Sequence, residues 1–371
     1  MNAHDYLKKC LDYMETHKGT DLYLKTDAKP CFRSANQLRL FEGLNTTTHE
    51  EMTRIAEFLM QAHHKNQLEH DKSVDLSFAI EGHGRLRANL FYQQGQLSCV
   101  IRVAWREIPS FEALRIPPIL KKWALAERGL ILIAGAASSG KSTTANAMIN
   151  QINQNVEKHI ITIEDPVEFL HVNKRSLINQ REVGQDTPGF ASALRFATRQ
   201  APDVIFIGEI RDAETFISAM AAAEIGRLVI STVHARSIMH VFERLLSFFP
   251  PDERSRVLVD ISYNLNLIAT QRLVPIARGH GYVPAFEILT MTQMVADMVR
   301  QQRLDKLTQV MQSGAADGMQ SLNQSLVGLK NEGLISEIEM YRASDRPHEL
   351  SLSMKGIQFG GGESSKKILG N

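Results

Sequence analysis

The chain has 371 residues, 43% hydrophobic and 22% charged, with 42 basic side chains against 41 acidic ones. That length can bury two cores, and the near-zero net charge excludes a surface organised as a whole around nucleic acid. Three scattered cysteines, Cys10, Cys31 and Cys99, make no zinc site or disulfide framework, and no apolar run approaches 18 residues; a cytoplasmic chain with reduced thiols, no signal peptide and no membrane helix is expected.

Residues 6–18 carry Leu7, Leu11 and Met14 at helical spacing, with Gly19 as the stop, and residues 21–25 read as a short strand. Thr48 and Glu51 are placed as a capping box for a helix over 48–63 whose stripe is Ile55, Leu59 and Met60. Segments 74–78, 85–90 and 97–103, separated by Gly82, Gly84 and Gly95, predict an antiparallel meander. Residues 1–107 are therefore expected to form a small α+β domain. Pro109, Pro117 and Pro118 mark a linker over 108–118. Beyond it, strand-like runs at 130–134, 159–163, 204–207 and 228–232 alternate with helix-length segments. That pattern predicts an α/β domain over 119–345 with a parallel sheet and helices on both faces. Residues 250–342 read as mostly helical, and residues 346–371, glycine-rich and polar toward the end, as a flexible tail.

Immediately after the 130–134 run stands Gly135-Ala136-Ala137-Ser138-Ser139-Gly140-Lys141-Ser142-Thr143, which fits G-x-x-x-x-G-K-[ST] between a strand and a helix. Backbone N–H groups of Ser138, Ser139, Gly140, Lys141, Ser142 and Thr143, at a helix N-terminus, are suited to cradle the phosphates of ATP. Lys141 reaches the β- and γ-phosphates and Ser142 offers its hydroxyl to Mg²⁺. Hydrolysis also needs a carboxylate beside the loop, and two apolar strands end in one. Glu209 follows the 204–207 run and is the candidate base; Glu164 follows 160–163 and either holds the metal through water or pairs structurally with an arginine. Gly208 stands where many phosphate-loop ATPases carry a metal-binding aspartate, so Ser142, phosphate oxygens and water supply more of the metal shell. His234, after the 228–232 run, also faces the ligand edge, although on its own it reads as a structural histidine.

Taken together these segments resemble the PilT/PilU type IV pilus retraction ATPases, a branch of the secretion-type ring ATPases, over residues 4–342. Residues 162–169 match that family's Asp box, 203–212 its atypical Walker B, and 232–235 its His box; 179–184 and 318–322 match further retraction-motor positions. Residues 19–22 and 84–87 match its PAS-like N-terminal domain. The resemblance implies a PAS-like domain followed by a RecA-like ATPase domain with a helical C-terminal part. It implies a homo-hexamer in which Arg87 and Arg102 of one subunit join Glu209, Glu164 and His234 in catalysis; without the family, both arginines read as exposed strand charges. It also implies ATP hydrolysis with Mg²⁺, coupled to pilus retraction and twitching motility. The implied setting is the cytoplasmic base of the pilus machine, with a PilT-like paralogue and a PilC-like inner-membrane platform protein as partners and no nucleic acid.

Within the family, three scattered cysteines cannot make the tetracysteine zinc site usual in assembly and secretion ATPases, so retraction is favoured. The family segment A-I-R-N-L-I-R-E falls on residues 294–301, where Ala296, Asp297 and Gln301 replace Arg, Asn and Glu while Arg300 is kept. This divergence looks like the PilU branch. A PilT-like principal motor, and a nucleotide-binding scaffold that joins PilT assemblies without efficient hydrolysis, remain the alternatives. The phosphate loop departs as well: Ala136, Ala137 and Ser138 replace the usual Pro, Thr and Gly. If residue 138 needs positive φ, a serine there strains the loop, and an active but slower enzyme is expected.

Overall fold

Alternation along short strands builds the N-terminal sheet. The computed structural model describes residues 2–34, 37–103, 108–279 and 281–354, and the chain divides into two units: Met1–Ile108 with Glu168–Leu170, and Pro109–Val167 with His171–Asn371. In the first unit the elements are α1 (Ala3–Thr16), β1 (Gly19–Lys25), β2 (Cys31–Ser34), β3 (Gln37–Leu40), α2 (His49–Leu59), α3 (Ala62–Asp71), β4 (Ser73–Ile80), β5 (Gly84–Gln93) and β6 (Gln96–Val103). The strands form one antiparallel sheet in the order β3-β2-β1-β6-β5-β4. Leu22 and Leu24, Leu86 and Leu90, and Cys99 and Ile101 turn inward and meet Leu7, Leu11 and Met14 of α1 and Met52 and Ile55 of α2. The intervening residues, Arg87 and Arg102 among them, point to the other face because side chains alternate along a strand. Burial pushes the Cys10 thiol up to about 12 and raises that of Cys99, so neither ionises near neutral pH.

The capping box forms as expected: the Thr48 hydroxyl accepts from Glu51 N–H at 3.2 Å while Glu51 Oε2 accepts from Thr48 N–H at 2.8 Å. The helix it opens is shorter than the sequence pattern implies. It stops at Leu59, Met60 is extended, and a second helix starts at Ala62 with Gln61 N–H donating to His64 Nδ1 at 3.1 Å. Strands β2 and β3 and helix α3 are additions to the sequence reading.

The second unit contains α4 (Pro118–Ala124), β7 (Gly129–Ala134), α5 (Lys141–Asn155), β8 (His159–Glu164), β9 (Leu177–Glu182), α6 (Phe190–Ala197), β10 (Val204–Ile207), α7 (Ala213–Glu224), β11 (Leu228–Val233), α8 (Ile238–Leu246) and α9 (Arg254–Asn264). It continues with β12 (Leu265–Pro275), β13 (Tyr282–Thr290), α10 (Gln293–Arg300), α11 (Leu307–Ser313), α12 (Leu322–Asn331), α13 (Glu337–Ala343) and α14 (Pro347–Met354). Its seven-stranded sheet runs β13-β12-β7-β11-β10-β8-β9; every pair is parallel except β12 with β13. All residues of β7, β10 and β11 are buried, which is the signature of a parallel sheet covered on both faces.

Two expectations for the C-terminal region are corrected. Residues 250–342 are not mostly helical throughout, because β12 and β13 form a long hairpin paired from Leu267–Thr290 to Pro275–Tyr282. The first part of β12 is buried on both sides, so it lacks the alternation that tells a strand from a buried helix. The expected tail also starts too early at 346: α14 is helical and Leu350 is fully buried with Val274, Leu326, Ile335 and Met340. The remainder of that tail, residues 355–371, lies outside the described residues. Among the described residues no helix is long and apolar enough to cross a membrane.

Replacing Thr48 by alanine removes the side-chain cap of α2 and is expected to destabilise the N-terminal unit by about 1 kcal/mol in urea unfolding; an unchanged midpoint would show that the cap is idle.

Candidate active site

Strand β7 ends at Ala134 and α5 begins at Lys141, leaving residues 135–140 to make the turn. Gly140, at φ 85°, is left-handed and caps α5. Ser138 is left-handed too, at φ 58°. A side chain in that region costs about 1–2 kcal/mol, so the serine carries the strain anticipated from the sequence. The space is also tight. A Cβ on Gly135 would lie 2.6 Å from the Gln271 carbonyl oxygen, and one on Gly140 would lie 2.8 Å from Gln271 Nε2.

No sequence motif marks Gln271. It sits on β12 beneath the loop, buried, and its Oε1 accepts from the Thr144 hydroxyl at 2.6 Å. In the sequence it stands in the polar triplet Thr270-Gln271-Arg272 between the apolar runs 267–269 and 273–274, with no motif around it. Lys141 is buried and folds over the loop, donating from Nζ to the Ala136 carbonyl at 2.8 Å. The Ser139 hydroxyl is buried with no hydrogen-bond partner among the described residues. An orphan donor inside a cradle of backbone N–H groups fits a phosphate oxygen. Ser142 and Thr143, half-buried, follow in the first turn of α5.

Sheet order sets the remaining groups in a row. Proceeding from β7 the neighbours are β11, β10 and β8, so the loop is followed by His234, then Glu209, then Glu164, each just past or at a carboxyl strand end. The row is pinned beyond the strands: Ile210 N–H bonds to Thr232 O at 3.0 Å and Gly208 N–H to Ile163 O at 2.7 Å. Gly208 lies close to the neighbouring strand: an added Cβ would sit 3.3 Å from Glu164 Cα, a tight contact.

Glu209, with its side chain 12% exposed, meets His234 Nε2 at 3.1 Å and accepts from Arg211 Nε; Arg211 also reaches Asp165 at 3.4 Å. Contact with a carboxylate favours a protonated imidazole. Burial, followed by the charges of Lys141, Arg211 and Arg244, outweighs it and lowers the His234 pKa. His234 Nε2 thus faces Glu209 Oε2 with the imidazole biased toward its neutral form. Glu164 is only 3% exposed, and its Oε1 accepts from the Thr162 hydroxyl at 2.6 Å and Gln180 Nε2 at 3.2 Å. Glu209 thus meets Arg211 and His234, whereas Glu164 accepts from a hydroxyl and an amide.

Arg87 and Arg102 belong to the N-terminal unit. They are direct cross-strand partners on β5 and β6. Arg102 Nε donates to buried Asp21 at 2.7 Å, while Arg87 stands 3.7 Å from Asp75. In the divergent 294–301 segment, Asp297 accepts from Arg300 one turn on. The same guanidinium donates to Ser262 at 3.3 Å and covers the Tyr263 ring at 5.3 Å, so the retained arginine is held by the acquired aspartate.

Phosphate loop, strand-end carboxylates and sheet order together define a phosphate-loop ATPase. The model of the Type II/IV secretion system protein family matches residues 111–337. The chain is 36% identical over 349 residues to the type IV pilus ATPase PilU of Pseudomonas aeruginosa, covering 94% of this chain and 91% of that one. It is 34% identical over 330 residues to the type IV pilus retraction ATPase PilT of the same organism, covering 89% and 95%. The crystal structure of the pilus retraction motor PilT with bound ADP superposes with a TM-score of 0.87 at 36% identity, covering 95% of this chain and 99% of that one. The chain belongs to the PilT/PilU type IV pilus retraction ATPases, within the type II/IV secretion system protein family.

Ser138→Gly removes a side chain from a left-handed position and is expected to stabilise the protein by about 1 kcal/mol, read as a raised melting temperature; a fall would show that the serine is not strained. A second expectation concerns pH. Burial, with Lys174 adding to it, holds His171 down at about 4 against an ordinary 6.5. Between those values the unfolded chain binds the extra proton, so this contribution to stability is complete above 6.5 and lost as pH falls toward 4. His171→Gln should flatten the melting temperature over that window, and an unchanged slope would assign the loss to other groups.

Proposed function

We propose that this chain binds Mg·ATP on residues 138–143 and hydrolyses it as one subunit of a homo-hexameric ring. The ring drives or assists type IV pilus retraction alongside a PilT-like paralogue. The carrying observation is the row of Lys141, His234, Glu209 and Glu164 along adjacent carboxyl strand ends of one sheet. In this reading Lys141 leaves the Ala136 carbonyl for the β- and γ-phosphates. Ser142 would hold Mg²⁺ and Glu164 would help to hold it through water, and the bound ion would supply charge neutralisation to the phosphate oxygens. Glu209 would take the proton of the attacking water, and His234, whose Nε2 lies beside Glu209, would help to place that water.

Arg87 and Arg102 act across a subunit boundary. Like charges directly opposite on a sheet are destabilising; Asp21 holds Arg102 and Asp75 stands 3.7 Å from Arg87. A neighbouring subunit's nucleotide phosphates are the polyanion that this exposed pair would meet. Motion of the ring is passed to a PilC-like platform protein at the cytoplasmic side of the inner membrane. The 94% overlap with PilU supports this reading, as does the acquired Asp297.

Hydrolysis of Mg·ATP by purified full-length protein is the test. Glu209→Gln is expected to lose about a hundredfold or more in kcat while keeping ATP affinity. Arg87→Ala and Arg102→Ala should each lose about a thousandfold, and Lys141→Ala should be inactive. A Glu209→Gln enzyme at the wild-type rate would rule out the assigned base. In cells lacking every other retraction ATPase, retraction by the wild type but not by Lys141→Ala would mark an autonomous motor; retraction by neither would mark dependence on the paralogue.

A further inference from the structure

Asn146 lies on α5 one turn beyond Ser142 and is completely buried, beside Ala145, Ala147 and Met148. Its Nδ2 donates to the Ser142 carbonyl at 2.9 Å, which fixes the amide so that Oδ1 is the acceptor. Facing that oxygen at 2.8 Å is His171 Nε2, from the segment before β9. The imidazole therefore carries its hydrogen on Nε2, and its Nδ1 is left buried with no partner among the described residues. The backbone N–H of His171 donates to Gln180 Oε1 at 2.8 Å, and the other end of that amide, Nε2, donates to Glu164 at 3.2 Å. A path of hydrogen bonds, crossing covalently from the His171 imidazole to its own backbone N–H, thus runs from the helix turn bearing Ser142 to Glu164.

We propose that Asn146 and His171 are positioning residues of the ATPase site, holding the phosphate-loop helix and Glu164 at a set separation through Gln180. This rests on the roles given above to Ser142 and Glu164. The folding energetics alone do not call for the link. Asparagine is a poor residue for a helix interior. A buried polar group is costly unless bonded, and His171 keeps one nitrogen unbonded. Apolar side chains of similar volume would secure α5 against this segment without those costs. Both liabilities fall on the path joining the two groups proposed to share the metal and its water. A link made of neutral donors also transmits position without adding charge beside Glu164.

The test uses full-length protein with Mg·ATP and reads kcat and KM separately. Asn146→Ala and His171→Leu are each expected to lower kcat about tenfold, the scale of one lost buried hydrogen bond. KM for ATP should stay within about twofold, because ground-state binding is not what the link provides. The double variant should be no worse than either single one. Rescue separates positioning from packing. His171→Gln places an amide nitrogen near the position of Nε2 and should recover most of kcat, whereas His171→Asn places it near Nδ1 and should not. Equal activity of the Gln and Asn variants would overturn the proposal, as would a His171→Leu enzyme with wild-type kcat. If His171→Leu fails to fold, the Gln and Asn pair still decides. Lys141→Ala in the same assay keeps the two readings apart: if it is inactive while His171→Leu is normal, only the link falls; if it still hydrolyses ATP, the site assignment itself falls.

Discussion

Everything at the candidate site depends on the shared direction and pairing of four buried strands. In a parallel sheet all carboxyl ends emerge at one edge, and here β7, β11, β10 and β8 are consecutive neighbours there. Burial on both faces leaves little freedom of register, since any slip would carry apolar side chains out of two covered layers. The backbone bonds from Gly208 to Ile163 and from Ile210 to Thr232 extend this order past the strands. Phosphate loop, histidine and two glutamates are consequently spaced by sheet geometry rather than by flexible loops.

That framework gives two carboxylates unlike environments. Glu209 is held between His234 and Arg211, whereas Glu164 is held by the hydroxyl of Thr162 and the amide of Gln180. Separate surroundings are the usual way for one site to assign different tasks to the same chemical group. Gly208 packs closely on the same frame, where an added Cβ would already sit 3.3 Å from Glu164 Cα.

Below the phosphate loop, Gln271 fills the position that Gly135 and Gly140 leave open and ties Thr144 to β12. The loop is therefore shaped from outside as well as by its own glycines. Ser138 adopts positive φ within this fixed frame, so a residue unsuited to the conformation is accommodated rather than allowed to reshape the turn. The N-terminal unit presents the opposite arrangement, an exposed sheet face on which Arg87 and Arg102 confront each other, with Asp21 beside Arg102 and Asp75 beside Arg87.

Much was legible in the residues alone. The phosphate loop, the four central strands, the meander and the Thr48 cap are local: each depends on a run of apolar residues or on a fixed spacing that the chain carries wherever it folds. Glu209, Glu164 and His234 were legible because each directly follows or ends a recognisable strand. The hairpin of β12 and β13 was not, since a strand buried on both sides has no distinguishing period. Gln271, Asn146 and Gln180 escaped for a different reason. Their meaning lies in partners 127, 25 and 16 residues away, Thr144, His171 and Glu164, and no local pattern encodes such a meeting. Sequence by itself determined that a nucleotide site with strand-end carboxylates exists; only the tertiary structure decided which donors hold each carboxylate, because hydrogen-bond partners are selected by proximity in space.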